Sequence, residues 1–310
     1  MESMTILVQG KKLQITNPEK LLWEEQGISK LDYIQYLLEV AGYLLPYTRE
    51  RLLTMIRYPD GSKGKSFFQK EIPEYAPEWV PRREAGGKEW ILLNDLPTLV
   101  WVANQAALEL HVPFNLAARE DFPSELIIDL DPMDEENFGL VREVALRTKE
   151  VLDSFGLMSV AKTSGATGIQ IYVPLVPVYT YEETRMVNRF IARYLAAKYP
   201  EKITLERSVQ KRGKRLYFDY LQLWRGRTLP APYSVRARAA ASVSTPLTWE
   251  EIEAGVHPLD FTIGTVRRRV KQTKDLFGCI TDARYQQKLD TVLSYIKKQG
   301  SYNNLTKGVR

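Results

Sequence analysis

Three β-rich segments alternate with two helical segments in the middle of the chain, and this alternation constrains the fold more than any other feature of the sequence. The β-rich segments are bounded by proline, glycine or charged residues and lie at 126–131, 168–173 and 215–221. The helical patterns between them lie at 136–155 and 180–198. Strands that alternate with helices in this way predict a mixed α/β (α+β) core.

The rest of the chain predicts an α/β subdomain before this core and further helices after it. Helical patterns lie at 31–45, 97–110, 248–254, 263–277 and 281–299. Residues 58–70 read as a loop, because Pro59, Asp60 and Gly61 are turn residues. We therefore expect one domain over 1–280, made of an N-terminal subdomain (1–115) and a catalytic core (116–280). A C-terminal helical extension is expected at 281–310.

Composition narrows the class of protein. A single cysteine, Cys279, in 310 residues excludes an internal disulfide framework and a thiolate metal cluster. No stretch approaches the ~20 apolar residues that cross a bilayer, and the N-terminus has no signal-peptide pattern. We therefore expect a cytoplasmic protein. The net charge is +5, and eleven Lys and Arg residues follow position 266. This favours a polyanionic partner as much as it favours an ordinary solvated surface.

Two carboxylates close the strand at 126–131. Asp129 and Asp131 lie two residues apart, so a strand places both side chains on one face. A divalent metal such as Mg²⁺ or Mn²⁺ would relieve their repulsion, because these ions take oxygen ligands. The alternative is that the Asp-Leu-Asp-Pro run simply ends a strand with turn residues. Asp219, inside the apolar strand at 215–221, adds a third carboxylate, unless it pairs with Arg212 or Arg215.

Other residues suggest contacts with phosphates or bases, and each also has an ordinary structural interpretation. Ser164, Gly165 and Gly168 lie in a turn before a strand, where backbone N–H groups can reach phosphate oxygens. Arg236 and Arg238 are two apart on an extended segment and could bind phosphates, or lie on a solvated edge. Phe67 and Phe68 are adjacent aromatic residues, which can stack on bases or tuck under the domain. His111 is interpreted from the sequence alone as a core residue.

These elements occur in an order that resembles the primase-like polymerase domain of bacterial ATP-dependent ligase D, in the archaeo-eukaryotic primase superfamily. The resemblance runs from about residue 15 to residue 276. It is carried by TNPEK at 16–20, LELH at 108–111, IDLDP at 128–132, KTSG at 162–165, FDYL at 218–221 and APYSVRAR at 231–238.

The resemblance implies a template-directed nucleotidyltransferase that fills gaps and extends DNA ends in non-homologous end joining. It implies that Asp129, Asp131 and Asp219 bind two Mn²⁺ or Mg²⁺ ions. It also implies nucleoside triphosphate and DNA substrates, with Ku and a ligase domain as partners. Residues matching the nucleotide site are His111, Ser164, Gly165, Thr167, Gly168, Gln170, Arg212, Gln222 and Arg236. Lys20 and Lys30 match the pair that receives the 5′-phosphate across a gap, and Phe67 and Phe68 match aromatics at the template strand.

The sequence departs from the family pattern at two positions. The family commonly has lysine and histidine where this chain has Thr167 and Gln170. We therefore expect weakened or rearranged triphosphate binding rather than loss of activity. The alternatives are a primase that starts chains de novo, a catalytically weak DNA-end-binding module and a two-metal nuclease. The nuclease is disfavoured because the sequence offers no water-activating histidine near Asp219.

Overall fold

The computed structural model describes residues 3–133 and 137–306, with residues 300–306 described by their backbone alone. The α-helices of these residues are α1 (Lys30–Thr48), α2 (Leu96–Asn104), α3 (Phe138–Ser154), α4 (Tyr181–Lys198), α5 (Val209–Arg212), α6 (Trp249–Ala254), α7 (Ile263–Thr273) and α8 (Asp290–Thr306). The strands are β1 (Ser3–Val8), β2 (Lys11–Thr16), β3 (Leu21–Trp23), β4 (Ile28–Ser29), β5 (Thr54–Arg57), β6 (Phe67–Gln69), β7 (Arg82–Ala85), β8 (Lys88–Ile91), β9 (Ala107–Val112), β10 (Glu125–Asp131), β11 (Val160–Thr163), β12 (Ile169–Pro174), β13 (Ile203–Thr204), β14 (Leu216–Asp219), β15 (Leu229–Pro230) and β16 (Pro246–Leu247).

A six-stranded sheet forms the centre of the C-terminal half, in the order β13-β14-β10-β12-β11-β16. β10 lies at its middle and pairs antiparallel with both β12 and β14. Helices α3 and α4 pack against β10 and against each other. Capping boxes begin α1 at Ser29 and α4 at Thr180, each completed by an acidic residue three positions later. The expected mixed α/β fold class is confirmed.

A four-stranded sheet in the order β15-β9-β5-β6 lies in the N-terminal half. Its strand β15 comes from the C-terminal half of the chain and pairs with β9. Helix α1 packs on α2 and α7. One continuous hydrophobic core runs through both halves. Side chains at the two sheets can therefore meet in one site.

The predicted helix at 97–110 is wrong in its second half. Helix α2 ends at Asn104, and Ala106 has a φ of 54°. This left-handed conformation is costly in a helix, and the chain turns there into β9. The sequence concealed this boundary because Leu108 and Leu110 are apolar, which suits a helix facing the core as well as the fully buried strand that they form. The correction matters because β9 carries His111.

The predicted helix at 281–299 begins too early. Gln287 forms an isolated parallel bridge with Leu175, just after β12. Backbone hydrogen bonds at this bridge hold the segment before α8 in an extended form. The predicted loop at 58–70 contains the short strand β6. The beginning of the predicted helix at 136–155 falls partly outside the described residues. The helix predicted at 263–277 ends at Thr273.

Within residues 3–133 and 137–306, no helix combines the length and the apolar character needed to cross a bilayer.

Candidate active site

Three carboxylates lie together on one face of the central sheet. Asp129 on β10 is directly opposite Asp219 on β14, and Asp131 is opposite Tyr217. Residues directly opposite on paired strands project from the same face, as do residues two apart on one strand. Asp129, Asp131 and Asp219 therefore share a face. The other face of β10 is apolar and fully buried at Leu126, Ile128 and Leu130, which fixes the carboxylates on the open side.

The carboxylates perturb one another. Burial, with the charges of Asp131 and Asp219, raises the pKa of Asp129 to about 7, against a hydrogen bond from Gln170. Burial also raises the pKa of Asp131, although the guanidinium of Arg212 opposes this. Arg212 Nη1 lies 3.9 Å from Asp131 Oδ2. Negative charge is thus concentrated here with little compensation from the protein.

Asp219 takes neither of the arginine partners weighed in the sequence analysis. Its Oδ1 accepts hydrogen bonds from the Tyr217 hydroxyl at 3.1 Å and from the Leu221 N–H at 3.0 Å. Arg212 stacks on the Tyr217 ring at 3.8 Å and donates to backbone carbonyls. Arg215 donates to the carbonyls of Arg212 and Lys211. Asp219 is held by neutral donors, so its charge remains available to a cation.

The chemistry of these residues fits a divalent cation. Three carboxylates on one face supply the oxygen ligands that Mg²⁺ and Mn²⁺ prefer. After burial, the charges of Asp131 and Asp219 are the next causes of the raised pKa of Asp129, and a cation would neutralise them. Within the described parts of the chain, however, no three His, Cys, Asp or Glu side chains already form a metal-binding arrangement. The described residues therefore show a shared face of carboxylates rather than a preformed metal cluster.

The turn after β11 presents a hydroxyl and two constrained glycines. Ser164 Oγ accepts hydrogen bonds from the N–H groups of Ala166 at 3.1 Å and Gly168 at 3.0 Å. Both lone pairs are then occupied, so the hydroxyl proton remains to be donated to a ligand. Gly165 has a φ of +73°, and a Cβ there would lie 2.7 Å from Arg236 Cγ. A Cβ at Gly168 would collide with the Leu130 carbonyl oxygen.

Arg236 and His111 converge on a buried carboxylate that sequence reasoning missed, Glu109. Arg236 Nε and His111 Nε2 lie 2.9 Å and 3.0 Å from Glu109 Oε2, and the Ala237 N–H donates to Oε1 at 3.1 Å. Burial raises the pKa of Glu109, but the His111 hydrogen bond and the Arg236 charge bring it down to about 2. The available signal was the alternation in LELH, which puts Glu109 and His111 on one face of a strand.

The same cluster fixes the state of His111. Burial lowers the pKa of His111, which keeps the ring neutral at pH 7. Ionised Glu109 can only accept, so His111 Nε2 carries the proton and Nδ1 is left as an acceptor. Arg236 Nη1 also donates to the Ser164 carbonyl at 2.9 Å, which ties this cluster to the turn after β11.

The remaining nucleotide-site candidates are spread more widely. Gln170 is buried, and its Nε2 donates to Asp129 Oδ1 at 3.1 Å rather than facing open space. Thr167 is half-buried in the turn. Gln222 donates to the Thr228 carbonyl within its own loop. In the segment with Arg236 and Arg238, Val235 forms an isolated antiparallel bridge with Val243. Arg236 turns inward there, whereas Arg238 is exposed.

Three cationic side chains, Lys20, Lys30 and Arg57, lie near one another close to the start of α1. Lys20 and Lys30 are joined by a backbone hydrogen bond, Lys30 N to Lys20 O, at 2.9 Å. Lys30 is buried, and its Nζ donates to the carbonyls of Thr16 and Asn104. Burial and the charges of Lys20 and Arg57 lower the pKa of Lys30 to about 8. Lys20 is partly exposed and pairs with Asp60 at 3.5 Å.

Phe67 and Phe68 are exposed to 46% and 67%, which excludes the interpretation that they tuck under the domain. They lie on the edge strand β6, where adjacent side chains project to opposite faces. The guanidinium of Arg57 lies 5.3 Å from the Phe67 ring centroid.

The chain is similar in sequence to a known protein family and to curated relatives. Residues 29–277 match the family model described as the LigD primase-polymerase domain. The chain is 43% identical over 289 residues to the bifunctional non-homologous end joining protein LigD of Bacillus subtilis, covering 93% of the chain and 46% of that protein. It is 29% identical over 248 residues to the multifunctional LigD of Mycolicibacterium smegmatis, covering 78% of the chain and 32% of that protein. The chain thus spans less than half the length of these relatives.

A solved structure shows the same fold. The polymerase domain from Mycobacterium tuberculosis ligase D, in complex with DNA, matches with a TM-score of 0.80 and 27% identity. The match covers 87% of this chain and 98% of that one. Sequence and structure agree on the assignment. The chain therefore belongs to the LigD primase-polymerase family, the polymerase domains of non-homologous end-joining proteins.

Proposed function

We propose that the chain is a template-directed polymerase that fills short gaps and extends DNA ends before ligation. The observation that carries this proposal is the single sheet face shared by Asp129, Asp131 and Asp219. Phosphoryl transfer consists mostly of positioning and charge neutralisation, and a group of carboxylates with little compensating charge suits it. Membership of the LigD family supports the same reaction.

Two divalent ions, Mn²⁺ or Mg²⁺, would neutralise charge on the attacking and leaving oxygens when bound. Asp129 and Asp131 would hold both ions. Asp219 would complete the ligand set nearest the primer 3′-hydroxyl. The hydrogen bonds from Tyr217 and Leu221 fix the Asp219 carboxylate in advance, which reduces the ordering that the reaction requires.

The nucleotide would lie between the turn after β11 and the buried cluster around Glu109. The free proton of the Ser164 hydroxyl would be donated to a phosphate oxygen. Arg236 is held by Glu109 on one side and the Ser164 carbonyl on the other, so its charge stays beside the turn. His111 Nδ1, as an acceptor, suits a hydroxyl or amino group of the nucleotide.

The DNA would be held by groups on the N-terminal half. Lys20 and Lys30 would receive a 5′-phosphate, since Lys30 lies in cationic surroundings that an anion would relieve. Phe67 and Phe68 would stack on bases, which exposed aromatic side chains do on single strands. Ku and a ligase domain would be the protein partners of this activity.

Primer extension on a gapped duplex tests the proposal. The assay compares ribonucleotides with deoxyribonucleotides, Mn²⁺ with Mg²⁺, and a primed with an unprimed template. Asp219→Asn should reduce extension roughly a hundredfold or more, because the lost charge stabilisation is several kcal/mol. The matched control, Asp153→Asn, changes an exposed carboxylate on α3 paired with Lys149.

Each alternative has its own outcome. Equal synthesis on the unprimed template would indicate a primase instead. DNA binding without extension would indicate an end-binding module. Normal extension by a folded Asp219→Asn protein would overturn the carboxylate assignment.

A further inference from the structure

Four polar side chains form a continuous row across the central sheet. Lys162 on β11 is directly opposite Gln170 on β12, Gln170 is opposite Asp129 on β10, and Asp129 is opposite Asp219 on β14. Directly opposite residues share a face, with Cβ atoms ~4.5–5.5 Å apart in antiparallel pairs. An ammonium, an amide and two carboxylates therefore follow one another in line on the face of the candidate active site.

Lys162 is the least expected member of this row. Its side chain is fully buried, and lysine is almost never buried without a compensating partner. Its Nζ donates to Gln170 Oε1 at 2.5 Å and to Ser244 Oγ at 2.6 Å, and lies 5.7 Å from the Tyr172 ring centroid. These acceptors are neutral. Burial lowers the pKa of Lys162, and the charge of Asp129, one residue further along the row, opposes this.

The row determines the orientation of the Gln170 amide. Lys162 Nζ donates to the Gln170 atom beside it, so that atom is the amide oxygen. With the amide oxygen on the Lys162 side, the atom of Gln170 beside Asp129 is the nitrogen. The hydrogen bonds at both ends fit this one amide orientation, with Nε2 donating to Asp129 Oδ1 at 3.1 Å. Gln170 is thereby engaged on both sides within the sheet.

We propose that Lys162 and Gln170 are positioning residues that fix the Asp129 carboxylate for a divalent cation. This inference rests on the proposed function, in which Asp129 is an ion ligand. Gln170 occupies Oδ1 and leaves Oδ2 to face the ion, while the hydrogen bond from Lys162 Nζ holds Gln170 in its orientation. Groups that orient metal ligands from behind typically contribute ~10–100-fold to metal affinity or activity.

Gln170 can then perform the same hydrogen bonding as the histidine that the family commonly has at this position. A histidine at 170 also offers one nitrogen that accepts and one that donates, so it can accept from Lys162 and donate to Asp129. A methionine has a similar length and volume but cannot donate, so it interrupts the row. The pair of variants Gln170→His and Gln170→Met therefore separates hydrogen bonding from packing.

The test is Mn²⁺ binding to the intact chain without DNA or nucleotide, measured by calorimetry and by the electron paramagnetic resonance of free Mn²⁺. Gln170→Met and Lys162→Met should each weaken binding roughly tenfold, and Gln170→His should retain it. Because Lys162 acts through Gln170, the double methionine variant should bind no more weakly than the weaker single variant. Gln272→Met, an exposed glutamine on α7, is the control and should leave binding unchanged.

Three outcomes would overturn the proposal or its basis. Unchanged Mn²⁺ affinity in a folded Gln170→Met protein, alongside a loss in Asp129→Asn, would refute the positioning role and leave the proposed function intact. If the double methionine variant loses as much Mn²⁺ affinity as the two single variants combined, the proposal that Lys162 acts through Gln170 is refuted. Unchanged Mn²⁺ affinity in Asp129→Asn and Asp219→Asn would refute the ion assignment itself. If Lys162→Met fails to fold, the Gln170 pair still decides the question.

Discussion

Replacing Glu109 by glutamine would remove the charge that holds Arg236 and His111 in the candidate nucleotide site. The substitution keeps the shape of the side chain and the acceptor for the Ala237 N–H, so it tests charge rather than packing. Glu109 is buried with 5% of its side chain exposed, which makes solvent screening weak. The expected result is a lower free energy of unfolding and a weaker affinity for nucleotide.

The size of the effect follows from the pKa of Glu109, which lies at about 2 against a usual value of 4.5. The difference of about 2.5 units corresponds to roughly 3 kcal/mol of preferential stabilisation of the ionised form. Because the folded-state pKa is depressed, this contribution is fully present above about pH 4.5 and is lost as the pH falls towards 2. At pH 3.5, about 1.4 kcal/mol of it should already be gone.

Urea denaturation at pH 7.0 and pH 3.5 measures this directly. The difference in free energy of unfolding between the wild-type chain and Glu109→Gln should narrow by about 1.4 kcal/mol at the lower pH. Glu71→Gln removes an exposed carboxylate paired with Lys88 and should change stability by less than ~1 kcal/mol at either pH. A difference for Glu109→Gln that is the same at both pH values would refute the electrostatic argument.

Three further predictions concern DNA and nucleotide binding. Lys30 has a pKa of about 8, so its ammonium loses its proton as the pH rises through 8 to 9. The Kd for a gap with a 5′-hydroxyl, divided by the Kd for a gap with a 5′-phosphate, should therefore fall over that range. Lys30→Arg should keep this ratio unchanged. Phe67→Ala with Phe68→Ala should weaken binding to a template overhang by ~1–3 kcal/mol per stacked base, with an unchanged Tm because both rings are exposed; normal overhang affinity would contradict stacking. Thr167→Lys adds a cation to the turn after β11 and should lower the KM for nucleotide roughly tenfold. The reason is that a charged hydrogen bond is stronger than a neutral one by ~1.4 kcal/mol. An unchanged KM would mean that residue 167 faces away from the triphosphate.

Local patterns predicted the parts of the fold that local physics determines. The capping boxes at Ser29 and Thr180 are satisfied by side chains three residues away, so the sequence carries the whole signal. The common face of Asp129 and Asp131 likewise follows from the strand period alone. The helix predicted through 110 failed because Ala106 turns left-handed, and no residue type near it signals that conformation.

The buried polar cluster was concealed by the same error. Glu109 reads as one more polar position of an amphipathic helix when residues 97–110 are taken as helical. In β9 the Glu109 side chain projects to the opposite face of the strand from those of its immediate neighbours. There it contacts Arg236, which lies 127 residues later in the chain. A contact of that separation depends on how the two sheets pack, which no window of the sequence contains.

The row from Lys162 to Asp219 shows what register adds to a motif. The KTSG motif at 162–165 and the IDLDP motif at 128–132 are each visible in the sequence, but their alignment across β11, β12 and β10 is not. A slip of one residue in β12 would turn Gln170 to the other face and put an apolar neighbour beside Asp129. Gly168 fixes that register, because its missing Cβ lets the strand approach the Leu130 carbonyl. Gln170 departs from the family pattern. Its role is therefore determined by its neighbours on β10 and β11 rather than by the turn that precedes β12.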